Sequence, residues 1–246
     1  MTQLAEAARR VPLNRDRVLE AAVALADEVG IESLSMRRLA QELGVVPMAL
    51  YKHVANKEEL LDGMVDTLVS EIDPPVPEAP WKSAVRLRVL SARRALLRHP
   101  WARPVIETRT TTTPAVLEYM DGFVGMFLGG GLSVDLTHHV MHALGSRMWG
   151  FTQEVFDDSA GRDAGGQQSM PAEVRTAMAR QMAESYPNLF RIALAAAHED
   201  ESVVGSGCDD QFEFEFALDL LLDGFERLHE QDWTSTIGRA DDHSDR

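Results

Sequence analysis

Ser35-Met-Arg-Arg-Leu-Ala-Gln-Glu-Leu-Gly-Val-Val-Pro-Met-Ala-Leu-Tyr-Lys-His-Val-Ala-Asn-Lys-Glu-Glu-Leu-Leu61 is the stretch on which the fold turns. Ser35 can cap a short helix that runs to about Leu43, with Leu39, Ala40 and Leu43 as its apolar stripe, and Gly44 ends it. Val45 and Val46 lead to Pro47, a residue tolerated at the first helical position, and Met48 to His53 then give about one and a half turns of the next helix. Two short helices around a three-residue turn predict a helix-turn-helix.

Working outward, Asn14 can cap an earlier helix over about 15–29, and Leu13 and Val18 stand where a hydrophobic staple needs them. Val18, Ala21, Ala22, Leu25 and Val29 recur at helical spacing, and Gly30 lies where a positive-φ residue closes the helix. On the other side, Asn56 with Glu59 makes a capping box for a fourth helix on Leu60, Leu61, Met64, Leu68 and Ile72, which Pro74 stops. The proline-rich stretch 74–80 reads as a stiff connector. Beyond it the periodicity predicts helices near 81–98, 102–107, 114–129, 133–156, 171–184, 187–198 and 210–229. Phe212-Glu-Phe-Glu-Phe216 alternates like a strand, but Leu218, Leu221, Leu222 and Phe225 continue it at helical spacing, so it is read as helix. Residues 157–169 and 199–210 read as loops. The fold class is all-α.

The formal charge of −15 looks unsuited to binding a polyanion until its distribution is considered. Residues 1–58 hold eight Lys/Arg and eight Asp/Glu, so the whole excess falls on 59–246. Between Ser33 and Lys57, Arg37, Arg38, Lys52 and Lys57 stand against Glu42 alone, the only segment suited to face phosphates. The one cysteine, Cys208, cannot close an intramolecular disulfide. Neither a signal-peptide apolar run at the start nor a stretch of ~18 apolar residues is present. The expectation is a cytoplasmic protein with no membrane association.

The quoted string closely resembles the DNA-binding domain of the TetR family. It shares the Leu-Ala-x-x-Leu-Gly-Val turn, the Leu-Tyr-x-His-Val recognition helix and the Asn-Lys-x-x-Leu-Leu entry to the fourth helix, in the family's order, and the match extends over 14–72. The resemblance implies that Tyr51, His53 and Lys57 contact phosphates, that Arg37 reaches a base edge or phosphate, and that Met48, Ala49 and Lys52 occupy base-reading positions. Met48 and Ala49 can offer apolar contact to a thymine methyl, and Lys52 can donate to guanine. Pro47 stands one position earlier in the turn than in better-known members.

In the C-terminal part, Ala92-Arg-Arg-Ala-Leu-Leu-Arg98, Thr108-Arg109 and Asp223-Gly-Phe-Glu226 are similar to the ligand domain of the family's tetracycline repressors. That similarity implies residues 1–58 as DNA-binding domain, 59–80 as linking helix and connector, and 81–246 as a larger helical ligand-binding and dimerisation domain. It also implies a homodimer built on the 133–156 and 210–229 helices and reading a palindromic double-stranded DNA operator. The tetracycline set itself is absent: Ala92 replaces an aromatic, Arg88 an amide, Asp73 a histidine, and no metal-coordinating histidine stands near Val105-Ile106. Trp101, Thr108, Arg109, Met120, Phe123, His142, Trp149 and Gln153 mark a region that could line a pocket for a small, mostly hydrophobic effector. His138 and His142 are i,i+4 neighbours, but no glutamate follows His138 and no third ligand is evident, so no metal and no cofactor is expected. The alternative keeps DNA binding and makes the C-terminal domain a protein-interaction module without small-molecule ligand. An enzyme is not expected, because no nucleophile, base and oxyanion set is present.

Overall fold

The computed structural model describes residues 12–149, 172–196 and 210–235. The helices run in the order α1 Arg15–Val29, α2 Met36–Glu42, α3 Pro47–Leu50, α4 Lys57–Ser70, α5 Trp81–Arg98, α6 Ala102–Glu107, α7 Pro114–Gly129, α8 Val134–Trp149, α9 Ala172–Ser185, α10 Pro187–Ala196 and α11 Asp210–Glu230, with a 3₁₀ turn at Ile31–Ser33. No strand occurs among the described residues. The loops expected at 157–169 and 199–210 lie outside them except for Asp210, which begins α11, and the end of the 133–156 helix lies outside them as well.

The capping residues explain where the N-terminal helices begin. Asn14 Oδ1 accepts from the Arg17 amide at 2.9 Å, Ser35 Oγ from Arg38 at 3.2 Å and Asn56 Oδ1 from Glu59 at 2.8 Å. Glu59 reaches one residue further back than a standard capping box, accepting from the Ala55 amide at 2.7 Å. Gly30 and Gly44 close α1 and α2 with φ of 81° and 65°, a backbone region open to glycine and costly for other residues. Helix α3 is shorter than the expected Met48–His53. It spans Pro47–Leu50, and residues 51–53 continue as a turn in which the His53 and Val54 amides both donate to Leu50 O. Leu50 in the helix and Val54 after the turn are its buried anchors.

The described residues fall into two compact units, 12–149 with 225–235, and 172–196 with 210–224. In the first, Val18, Ala22, Leu25, Leu39, Leu50, Leu60 and Met64 form a core joined by Trp101, Ala102 and Val105. Helix α4 is thus part of the N-terminal core as well as the link to α5. It approaches α1 closely because Gly63 has no side chain: a Cβ there would come within 2.6 Å of Leu19 Cδ2. Helix α7 packs on α4, α5 and α8, with Phe123 and Phe127 in edge contact at 5.7 Å and Trp81 5.9 Å from Phe127. In the second unit α9 packs on α10. The Phe-x-Phe-x-Phe segment is helical: Phe214, Leu218 and Leu222 are buried, whereas Phe216 (53 %) and Leu220 (57 %) are exposed on another face of α11.

Candidate nucleic-acid interface

The helix-turn-helix presents its second helix outward. Leu50 and Val54 pin α3 to the core, which leaves Met48 (70 % exposed) and Tyr51 (45 %) facing away from it. Lys52 is exposed beside them, and Ala49 and His53 are half-buried. Arg37 and Arg38, at the start of α2, are exposed as well. None of Arg37, Arg38 or Lys52 has an ion-pair partner among the described residues. The cations farther along the chain contrast with this: Lys82 pairs with Glu226 at 2.5 Å, Arg94 with Asp73 at 2.7 Å and Arg98 with Glu71 at 2.6 Å. A cation without a counter-charge keeps its capacity for a phosphate. Lys57 differs from its expected neighbours, because its Nζ donates to Leu34 O at 3.0 Å and ties the start of α4 to the segment before α2.

Several polar links join α1 and α4 to the helices behind them. His99 is buried after α5 with each ring nitrogen on a carboxylate: Nδ1 lies 2.9 Å from Asp27 Oδ1 on α1, and Nε2 lies 3.1 Å from Glu71 at the end of α4. Burial, the largest single influence, disfavours the imidazolium, but the hydrogen bonds and charges of Asp27 and Glu71 together outweigh it and raise the pKa above the ordinary histidine value. Arg109 Nη1 bonds Glu58 Oε2 at 2.8 Å and Asp62 Oδ1 at 3.3 Å, and the Thr113 hydroxyl donates to Asp66. Carboxylates along α4 are therefore held by residues of the α5–α7 region.

The sequence-derived pocket residues are distributed over several environments. Trp101 is buried, and its Nε1 donates to Asp27 Oδ1 at 2.7 Å in the N-terminal core. Thr108 donates to Val105 O at 2.7 Å, and Arg109 is engaged with α4. Phe123 is buried between Tyr119 and Phe127. Met120 and His142 come together in a groove of about 410 Å³ between α7 and α8, with Val124, Leu128, Val134, Thr137, His138 and Met141. The rings of His138 and His142 meet edge to face at 4.7 Å, and no group of three or more His, Cys, Asp or Glu suited to a metal occurs among the described residues. The Trp149 side chain and Gln153 lie outside the described residues. A second cavity of about 210 Å³ lies at the α4–α5 connection, lined by Asp73, Pro74, Val76, Ala84, Leu87, Arg88 and Arg94. Its clearest sequence signal is Arg88, a charge at a position inside an otherwise apolar helical stripe.

An outward α3, unpaired cations beside it and an all-helical body define a helix-turn-helix regulator. Residues 18–64 match the family of bacterial regulatory proteins, tetR family, and residues 74–229 match the tetracyclin repressor-like C-terminal domain. The chain is 30 % identical over 221 residues to the HTH-type transcriptional repressor DrrR1 of Streptomyces coeruleorubidus, covering 88 % of this chain and 78 % of that one. It is 46 % identical over 90 residues to tetracycline repressor protein class D of Escherichia coli, covering 35 % and 41 %. Among solved structures, ActR of Streptomyces coelicolor in complex with actinorhodin is similar with a TM-score of 0.61 at 26 % identity, covering 88 % of this chain and 98 % of ActR. The chain belongs to the TetR family of transcriptional regulators. No helix among the described residues is long and apolar enough to cross a membrane.

Proposed function

We propose that this protein is a ligand-responsive repressor that occupies a palindromic operator as a homodimer and leaves it when a small, mostly apolar effector binds the C-terminal domain. The observation that carries the reading is the exposed pair Met48 and Tyr51 on α3, with Arg37, Arg38 and Lys52 uncompensated around it. Tyr51, His53 and Lys57 would hold phosphates, and Met48, Ala49 and Lys52 would face base edges. The repressor activity of DrrR1 and the ligand complex of ActR support the same reading.

Dimerisation is supported by apolar surface that a lone chain leaves in water. Phe216 and Leu220 on α11 and Val134 on α8 are exposed, and packing such faces against their twins is the usual symmetric solution. Two recognition helices about 34 Å apart then meet successive major grooves. Effector binding would act through α4, because Arg109, Thr113 and His99 connect its carboxylates to the α5–α7 region. To move an operator from almost fully bound to almost fully free, the effector must prefer the released state by about 5.5 kcal/mol.

The test is selection of genomic fragments by the purified protein at physiological salt, then a salt titration of the best fragment. A palindromic motif with steep salt dependence is expected. Weak binding without a motif would sink the operator reading and favour a protein-interaction role.

A further inference from the structure

Arg88 is a buried cation without a counter-charge. It sits in the middle of α5 at 8 % exposure, and no carboxylate pairs with it among the described residues. Its Nη1 donates to the backbone oxygen of Asp73 at 3.3 Å, its guanidinium lies 4.7 Å from the centre of the Tyr119 ring, and its Nε has no hydrogen-bond partner. The ring and phenol of Tyr119, both neutral, and one long bond to a carbonyl supply no counter-charge for the guanidinium, and its unmatched buried Nε–H adds a further penalty. The neighbouring Arg94 is in a different state, since Asp73 Oδ2 neutralises it at 2.7 Å. Two guanidiniums and one carboxylate therefore border the same cavity, which leaves it with one net positive charge.

The rest of that cavity is apolar, walled by Pro74, Val76, Ala84 and Leu87. Its volume of about 210 Å³ exceeds the ~150 Å³ of a cavity that accommodates benzene and falls below the ~300–1,000 Å³ of a drug-sized site. A single ring bearing one carboxyl group, or a short-chain acid, matches both the space and the charge. A dianion such as a phosphate ester would bring a second negative charge against Asp73.

The geometry points to this cavity as the binding site of a compact monocarboxylic acid, whose carboxylate pairs with the Arg88 guanidinium and whose apolar body fills the space between the 74–76 segment and α5. The inference rests on the ligand-responsive reading above and specifies the chemical class of its effector. Arg88 also holds the Asp73 carbonyl, three residues beyond the end of α4. A carboxylate that draws the guanidinium toward itself competes with that bond, so occupancy of the cavity bears directly on the end of the linking helix.

The full-length protein is titrated calorimetrically with benzoate, phenylacetate and hexanoate, with benzamide as the uncharged counterpart of benzoate. The same compounds are added to the complex with the selected DNA fragment. Saturable binding of at least one acid is expected, with benzoate favoured over benzamide and with Arg88→Gln weakening the acid by roughly 10- to 100-fold, as expected for charge-assisted hydrogen bonds. Val76→Trp, a change in the half-exposed connector, should block the cavity while leaving Arg88 in place. Circular dichroism checks that both variants keep the helical signal. No binding by any of the acids, equal binding of benzoate and benzamide, or acid binding that survives both substitutions would overturn the inference. Release of DNA by an uncharged compound independently of Arg88 would overturn it while preserving the repressor reading. An acid held through Arg88 that leaves the DNA bound would confirm the site and count against ligand-controlled release.

Discussion

Arg37 and Lys52 are exposed and free of carboxylate partners among the described residues, so their substitution should affect DNA without disturbing the core. Arg37→Ala, if it removes one phosphate contact, should lower the slope of log affinity against log salt by about 1. Lys52→Ala should cost about 1–3 kcal/mol on the preferred sequence and relax the choice of one base pair. Competition binding to fragments altered one position at a time distinguishes the two, and equal losses on every sequence would remove Lys52 from the base-reading set. His99 gives a different residue-scale prediction. Its pKa is raised on folding by Asp27 and Glu71, so its contribution to stability is complete below the unfolded value of about 6.5 and is lost as pH rises through the higher folded value. The difference in thermal midpoint between the wild-type protein and His99→Gln should therefore shrink on going from pH 6 toward alkaline pH. A difference that grows instead would mean that neutral His99 is the form held between the two carboxylates.

At the scale of elements, α4 is the member that belongs to the DNA-reading core and is also gripped by the α5–α7 region. Gly63→Val would drive a side chain into Leu19, where even a Cβ has only 2.6 Å, and such overpacking costs about 1–3 kcal/mol. Denaturant unfolding should show that loss, and an unchanged midpoint would mean that α1 and α4 separate freely. Arg109→Met should leave Glu58 and Asp62 without their shared cation and loosen the hold of the α6–α7 turn on α4. The helices themselves were largely legible in the chain because their signals are local: Asn14, Ser35 and Asn56 cap them, and Gly30 and Gly44 close the first two, whereas α4 ends at Ser70, short of the Pro74 that the sequence offered as its stop. The extent of α3 was not, since four residues carry too little periodicity to place an end and the turn at 51–53 has the same apolar spacing as a helix. The partners of Trp101 and Arg109 were illegible for another reason. Asp27 lies 74 positions from Trp101, and Asp62 lies 47 from Arg109, so only the folded chain brings them together. The cavity beside Arg88 likewise arises from the path of a proline-rich connector, which periodicity does not specify.

For the whole molecule, the charge distribution and the exposed apolar faces point in the same direction. The whole excess of acid falls in residues 59–246, whereas Arg37, Arg38 and Lys52 of the helix-turn-helix are exposed without a counter-charge among the described residues. The exposed Phe216 and Leu220 should lie between subunits, so the double substitution Phe216→Glu, Leu220→Glu is expected to yield a monomer by sedimentation, with operator affinity reduced by orders of magnitude. A variant that stays dimeric would move the interface elsewhere. The central claim, a two-fold regulator that reads two half-sites with α3, is tested most directly by hydroxyl-radical footprinting of the best selected fragment. The account predicts two symmetric protected blocks whose centres are separated by about 10 base pairs or a multiple of that, and their joint loss when Tyr51 and Lys52 are replaced by alanine. A single asymmetric block, or protection that survives those substitutions, would contradict it.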